Sequence, residues 1–171
     1  MKKTRRFVAL LLAAVLALAL FTACGAAEQP QSAIGKVYED WFVEKLNSKR
    51  PEGKTVQKVN VKRSDMRAAL AKIGEDGKFK AGDGYDEYAN RYGESWYWAI
   101  LSDPMPWDYN VPNDSTVEAV ELTPENMTKY GPDYFFWEQE QKRIDEYDIA
   151  TCVMDGKTYV AVYFHLEEAH S

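Results

Sequence analysis

Histidine is nearly absent from this 171-residue chain: His165 and His170 stand at its C-terminal end, and there are no others. A serine–histidine–acid triad needs a histidine set inside the domain, and a two-histidine metal cleft needs two of them. Interior elements can supply neither. Cysteine is as scarce, with Cys24 and Cys152 alone. Positive charge is in deficit too, 21 Lys and Arg against 27 Asp and Glu, for a formal net charge of −6. An anionic surface is a poor partner for nucleic acid and for an anionic bilayer. Internal repeats and low-complexity tracts are missing. Long apolar runs are limited to one, from Phe7 to Phe21.

That run follows Lys2, Lys3, Arg5 and Arg6, the layout of a secretory signal, and it is too short for a membrane span. It ends in Leu20-Phe21-Thr22-Ala23-Cys24-Gly25, which resembles the lipobox of bacterial lipoproteins, with Phe21 where an aliphatic residue is usual. The resemblance implies cleavage before Cys24 and acylation of its thiol. Residues 1–23 are then a signal peptide, 24–33 a short polar tether, and 34–171 a single domain. Loss of four cationic side chains and no acidic ones takes the formal charge from −6 to −10. With Cys24 lipidated, Cys152 has no intramolecular disulfide to form, so the fold must stand on its core. Alternating with apolar neighbours, Cys152 reads as a small buried hydrophobe.

The strongest local signal lies near the C-terminus. Asp148 to Met154 and Lys157 to Phe164 are rich in β-branched and aromatic residues and flank Asp155-Gly156, a hairpin signature. Thr158, Val160 and Val162 fall on one face of the second run, and Tyr159, Ala161 and Tyr163 on the other. Both faces are largely apolar, which predicts central strands covered on both sides by helices.

Upstream, Ile34, Val37, Tyr38, Trp41, Phe42 and Leu46 recur at helical spacing, stopped by Pro51-Glu52-Gly53. Val56 to Val61 reads as extended. Ser64 can cap a second helix carrying Met66, Ala69, Leu70 and Ile73. Asp76 to Gly84 reads as a loop, and Tyr85, Tyr88, Ala89 and Tyr92 as a short helix closed by Gly93. Val117 to Leu122 alternates like a strand, Thr123-Pro124-Glu125 looks like a helix start, and a last helix is expected from Asp133 through Phe136 and Trp137 to Ile144.

Asn47-Ser48-Lys49-Arg50, Met66-Arg67-Ala68-Ala69-Leu70, Trp137 and the two hairpin runs from Ile149 to Phe164 stand in an order that resembles the CAP superfamily (cysteine-rich secretory, antigen 5 and pathogenesis-related proteins), over roughly Ile34 to His165. The resemblance implies an α+β fold: a central antiparallel sheet ending in the C-terminal hairpin, flanked by helices as an α-β-α sandwich. It departs where that family holds metal. Phe79-Lys80-Ala81 stands at the first histidine, Trp98-Ala99-Ile100 at the acidic segment and Arg143 at the second histidine. Metal ligands and cofactors are therefore expected to be none.

Other carboxylates have plain explanations. Asp83, Asp86 and Glu87 do not have the spacing of a calcium loop. Glu138, Glu140, Asp145 and Glu146, interleaved with Gln139, Gln141, Lys142 and Arg143, read as a solvated helix face. Glu94, beside an aromatic run, is the one weak catalytic candidate. Aromatics are dense at Trp96-Tyr97-Trp98, at Trp107 with Tyr109, and at Tyr134-Phe135-Phe136-Trp137, and adjacent rings cannot all point inward. Trp96, Trp98, Trp107 and Tyr109 are the ligand-binding candidates. The expected protein is bacterial, held at the outer face of the cell membrane by its N-terminal lipid. Its domain is a non-catalytic binding or interaction module for a cell-wall glycan, peptide or protein. The alternatives are a carboxylate-dependent envelope hydrolase and an accessory subunit of a surface complex.

Overall fold

In the computed structural model, residues 31–89, 93–108 and 110–168 are described; the signal segment, the acylation candidate Cys24 and Tyr109 lie outside them. The C-terminal hairpin is the centre of the molecule. Its strands run Ile144–Met154 and Lys157–Leu166, and Asp155 and Gly156 turn between them with φ of 49° and 77°. Positive φ at both positions is what a tight turn between right-twisted strands requires.

Numbered in chain order, the helices are α1 (Ala33–Lys49), α2 (Arg63–Leu70), α3 (Pro132–Phe135) and α4 (Glu138–Gln141). The strands are β1 (Gln57–Lys58), β2 (Lys78–Lys80), β3 (Tyr85–Ala89), β4 (Ser95–Ile100), β5 (Thr116–Glu118), β6 (Ile144–Met154) and β7 (Lys157–Leu166). The main sheet has the order β1-β6-β7-β4-β3, so β7 is central. Its pairs are antiparallel except β1 with β6, which run parallel, and β2 and β5 form a separate antiparallel pair. The fold is thus α+β with a C-terminal hairpin at its core, and the sheet is mixed at one edge.

Period-two alternation divides β7 between two cores. Val160, Val162 and Phe164 pack with Tyr38, Phe42 and Leu46 of α1. Tyr159, Ala161 and Tyr163 pack with Met66, Ala69 and Leu70 of α2, and with Phe79 and Val117 of the small sheet. Ser32 caps α1, its Oγ accepting from the Gly35 N–H at 3.1 Å. The Asn47 to Arg50 motif proves structural. Asn47 Oδ1 accepts from the Val56 N–H at 2.9 Å, and Arg50 Nη1 donates to the Ile144 carbonyl at 2.6 Å, tying the end of α1 to the start of β6. At the start of α2 the Arg63 guanidinium donates to Asp148 Oδ1, a carboxylate with no exposed surface. Gly84 is held to glycine by contact, since a Cβ there would stand 2.1 Å from the Phe79 ring.

Several expectations are corrected. Tyr85, Tyr88 and Ala89 belong to strand β3, not to a helix, and the expected loop over 76–84 contains β2. Three-residue spacing reads as one face of a helix, but tyrosine also favours strands, and pairing with the aromatic strand β4 sets Tyr85 and Tyr88 on opposite faces of the sheet. The expected helix from Asp133 is broken into α3 and α4 by extended backbone at Phe136 and Trp137. Burying Phe136 in the α1-side core breaks the run, and Ile144 is already in β6. Thr123 leads into a 3-10 turn at Met127–Tyr130, with pairing along Val117–Leu122 ending early. Cys152 is buried as expected, yet it is disulfide-bonded rather than unbridged.

Candidate functional site: an aromatic, acidic cleft at the sheet edge

Alternation along β3 and β4 sorts the aromatic residues by face. Trp96 and Trp98 pair with Tyr88 and Asp86 across the strands, while Tyr97 pairs with Glu87. Trp98 is 7% exposed and packs in the α2-side core, so it is part of the interior and not of a binding surface. Trp96 is half-buried beside it, stacked on Tyr88 at 5.6 Å between centroids and covered by Lys62 Nζ at 3.8 Å from its ring centre. Tyr97 points the other way. The candidates Trp96 and Trp98 are therefore separated from Trp107 by the sheet itself.

On the α1 side, Tyr97 and Trp107 meet at 5.2 Å, and Tyr85 lies 5.3 Å from Trp107. These rings line a cleft of about 560 Å³ that continues past Phe135 and Phe136 to Trp137. Its volume falls within the range of about 300–1,000 Å³ common for small-molecule sites. Two walls define it. One is the 103–115 connection, pinned where Asp108 Oδ1 accepts from the backbone and side-chain amides of Asn110 at 2.9 Å each, and where the Gly82 N–H donates to the Asn113 carbonyl at 2.8 Å. The other is the α3–α4 junction. Buried Gln141 holds it, Nε2 donating to Asp133 Oδ1 at 2.8 Å and to the Phe136 carbonyl at 2.9 Å. Phe136 turns inward and Trp137, next along extended backbone, turns outward and is 83% exposed.

Carboxylates reach the same space. Glu87 Oε2 accepts from the Tyr85 hydroxyl at 2.6 Å, and Glu140 Oε2 accepts from the Trp137 backbone N–H at 3.0 Å. Asp108 joins them on the lining. Tyr97 carries a buried hydroxyl without a hydrogen-bond partner. Burial first, then the charges of Glu140, Tyr85 and Glu87, push its ionisation well above the usual tyrosine range. Among the described lining residues there is no lysine, arginine or histidine.

Other sequence candidates lie elsewhere. Glu94 precedes β4 and is half-buried, away from this lining. His165 pairs across the hairpin beside a β-bulge: Asp145 is the extra residue, and its Oδ1 lies 2.7 Å from His165 Nδ1. Among the described residues, no three His, Cys, Asp or Glu side chains are grouped to hold a metal ion. Glu87 and Glu140 escape sequence reasoning because each reads as a routine solvated acid, and nothing local signals that β3 and the α3–α4 junction meet. Set against protein-family models, curated proteins and solved structures, the chain matches none.

Proposed function

We propose that the protein is an exported, lipid-anchored envelope component whose domain is a non-catalytic binding module, with the aromatic cleft as its ligand site. The observation that carries the binding reading is the cleft itself: about 560 Å³ walled by tyrosine and tryptophan rings and edged by carboxylates. Rings at a concave surface hold ligands by stacking, and nearby acids and amides fix orientation. Trp107, expected from the sequence, stays a ligand candidate. Trp137 and Tyr85 join it, and Trp98 leaves the set. The anchor reading rests on the lipobox-like segment ending in Cys24. Of the CAP resemblance, helices on both faces of a hairpin-centred sheet support the layering alone. The helices that it requires over Tyr85 to Ala89 and through Trp137 are a strand and two single turns, so no CAP activity is carried over.

The binding reading is tested on protein solubilised from membranes in non-ionic detergent, by tryptophan fluorescence against cell-wall glycan and peptide fragments. A saturable change that Trp107→Ala and Trp137→Ala each remove supports it. A change that survives both variants refutes the cleft. The anchor reading predicts that Cys24→Ser moves the protein to the soluble fraction. Acylated Cys24 cannot also bridge to Cys152, the one other cysteine, so the intact mass decides between the two chemistries. A hydrolase is the second reading, favoured by one observation: two carboxylates, Glu87 and Glu140, share the cleft. It requires turnover of those fragments that Glu87→Gln or Glu140→Gln abolishes at unchanged melting temperature.

A further inference from the structure

We propose that the cleft takes a quaternary ammonium head group, an inference that rests on the ligand-binding reading above. Tyr85, Tyr97 and Trp107 meet at 45° and 61°, so their faces do not lie in one plane and form a concave wall. Aromatic faces carry negative charge density, and rings that converge from different directions suit an organic cation. Glu87 and Glu140 border the same space, each held in place through one oxygen by a neighbour, the Tyr85 hydroxyl and the Trp137 backbone N–H. The described lining holds no basic side chain to neutralise them. Negative charge therefore converges here.

The opposite face offers an internal comparison. There Lys62 Nζ sits 3.8 Å over the Trp96 ring and 3.6 Å from Asp86, so the chain supplies a cation to a ring and a carboxylate of its own. The cleft repeats the ring-and-carboxylate pairing, with Tyr97 and Trp107 beside Glu87 and Glu140. A quaternary head group fits it better than a primary ammonium does. Three N–H donors demand three acceptors, and the concave wall of Tyr85, Tyr97 and Trp107 offers ring faces in their place, with the glutamates only at its border. An alkylated ammonium demands none, and sheds its weak hydration readily on entering an aromatic wall.

The test uses the full chain in a non-ionic detergent at low salt, titrated with choline and, separately, with its neutral carbon isostere 3,3-dimethylbutan-1-ol. Tryptophan fluorescence and calorimetry read the binding. Saturable choline binding, at least about tenfold tighter than the isostere, is expected, as is weakening by added salt. Trp137→Ala should lower choline affinity about tenfold, and its exposed ring makes an unchanged melting temperature the expected control. Glu87→Gln should weaken choline and leave the isostere unaffected. Equal binding of choline and isostere, or no saturable response to choline, overturns the inference. If choline fails while wall fragments still give a signal that Trp137→Ala removes, the cation class is wrong and the binding site stands. If neither gives a signal, both readings fall.

Discussion

Replacing Arg63 by alanine is expected to destabilise the domain more than replacing Asp148 by asparagine, although the two side chains form a single ion pair. The asymmetry follows from where each charge sits. Asp148 has no exposed surface, and its Oδ1 accepts from Arg63 and, at 2.9 Å, from the Ile149 N–H, while Oδ2 is buried without a partner. The Arg63 side chain retains 22% of its exposure. Arg63→Ala therefore strands a buried carboxylate, at a cost of about 3–5 kcal/mol. That is a large share of a typical domain stability of about 5–15 kcal/mol. Asp148→Asn keeps an acceptor for both donors and leaves a guanidinium that water can reach, so its cost should be about 1 kcal/mol.

The pH dependence separates this account from simple loss of packing. Burial raises the Asp148 carboxyl above its ordinary value, against the lowering effects of Arg63, the Ile149 N–H and Lys58. A carboxyl raised in the folded state binds its proton more tightly there than in the unfolded chain. Its contribution to stability is greatest in acid and is lost as pH rises through the folded value. Without Arg63 the rise is larger. The deficit of Arg63→Ala relative to the native chain should then be greatest near neutrality and shrink toward about pH 4. Urea unfolding followed by circular dichroism at both pH values measures this, and Arg63→Lys, which keeps the charge, should fall between. Equal costs for the two substitutions, or a deficit for Arg63→Ala that does not change with pH, would refute the reasoning.

Tyrosine ionisation should show two classes in an alkaline spectrophotometric titration. Tyr134, Tyr147 and Tyr163 are raised to about 12, burial being the main cause, and burial raises Tyr38 and Tyr97 well above the usual tyrosine range as well. Protons held more tightly when folded mean stability that is intact below about pH 10 and falls as pH climbs toward about 12, so unfolding should begin in that window. Phe164→Ala removes a ring with no exposed surface that packs on Phe42 at 5.6 Å and Phe136 at 5.0 Å; denaturant unfolding should register a loss of about 3–5 kcal/mol. Tyr97→Phe deletes an unpartnered buried hydroxyl and should leave the melting temperature unchanged or raised, by up to about 1 kcal/mol of stability. A clear loss would reveal a partner for that hydroxyl. Gly84→Ala should destabilise because its methyl would meet the Phe79 ring, and Phe79→Leu in the same chain should recover part of the loss.

What sequence alone could settle is whatever local chemistry settles. The Asp155-Gly156 turn, the two-sided apolar character of Lys157–Leu166 and the stripe Tyr38, Phe42, Leu46 are short-range patterns, and each appears in the fold as read. The scarcity of histidine likewise limits the chemistry that this chain could carry out in any fold. Tertiary structure decided what depends on a partner. Tyr85 to Ala89 became a strand because β4 offered an edge, and Phe136 broke a helical run because the α1-side core had room for its ring. The site belongs to the same class. Alternation along β4 sends Trp98 into the core and Tyr97 to the opposite face, a direction that depends on which side α2 covers. Glu87 and Glu140 lie far apart in the chain. They meet at one cleft because the sheet edge and the broken helix converge there, and no local residue pattern encodes that convergence.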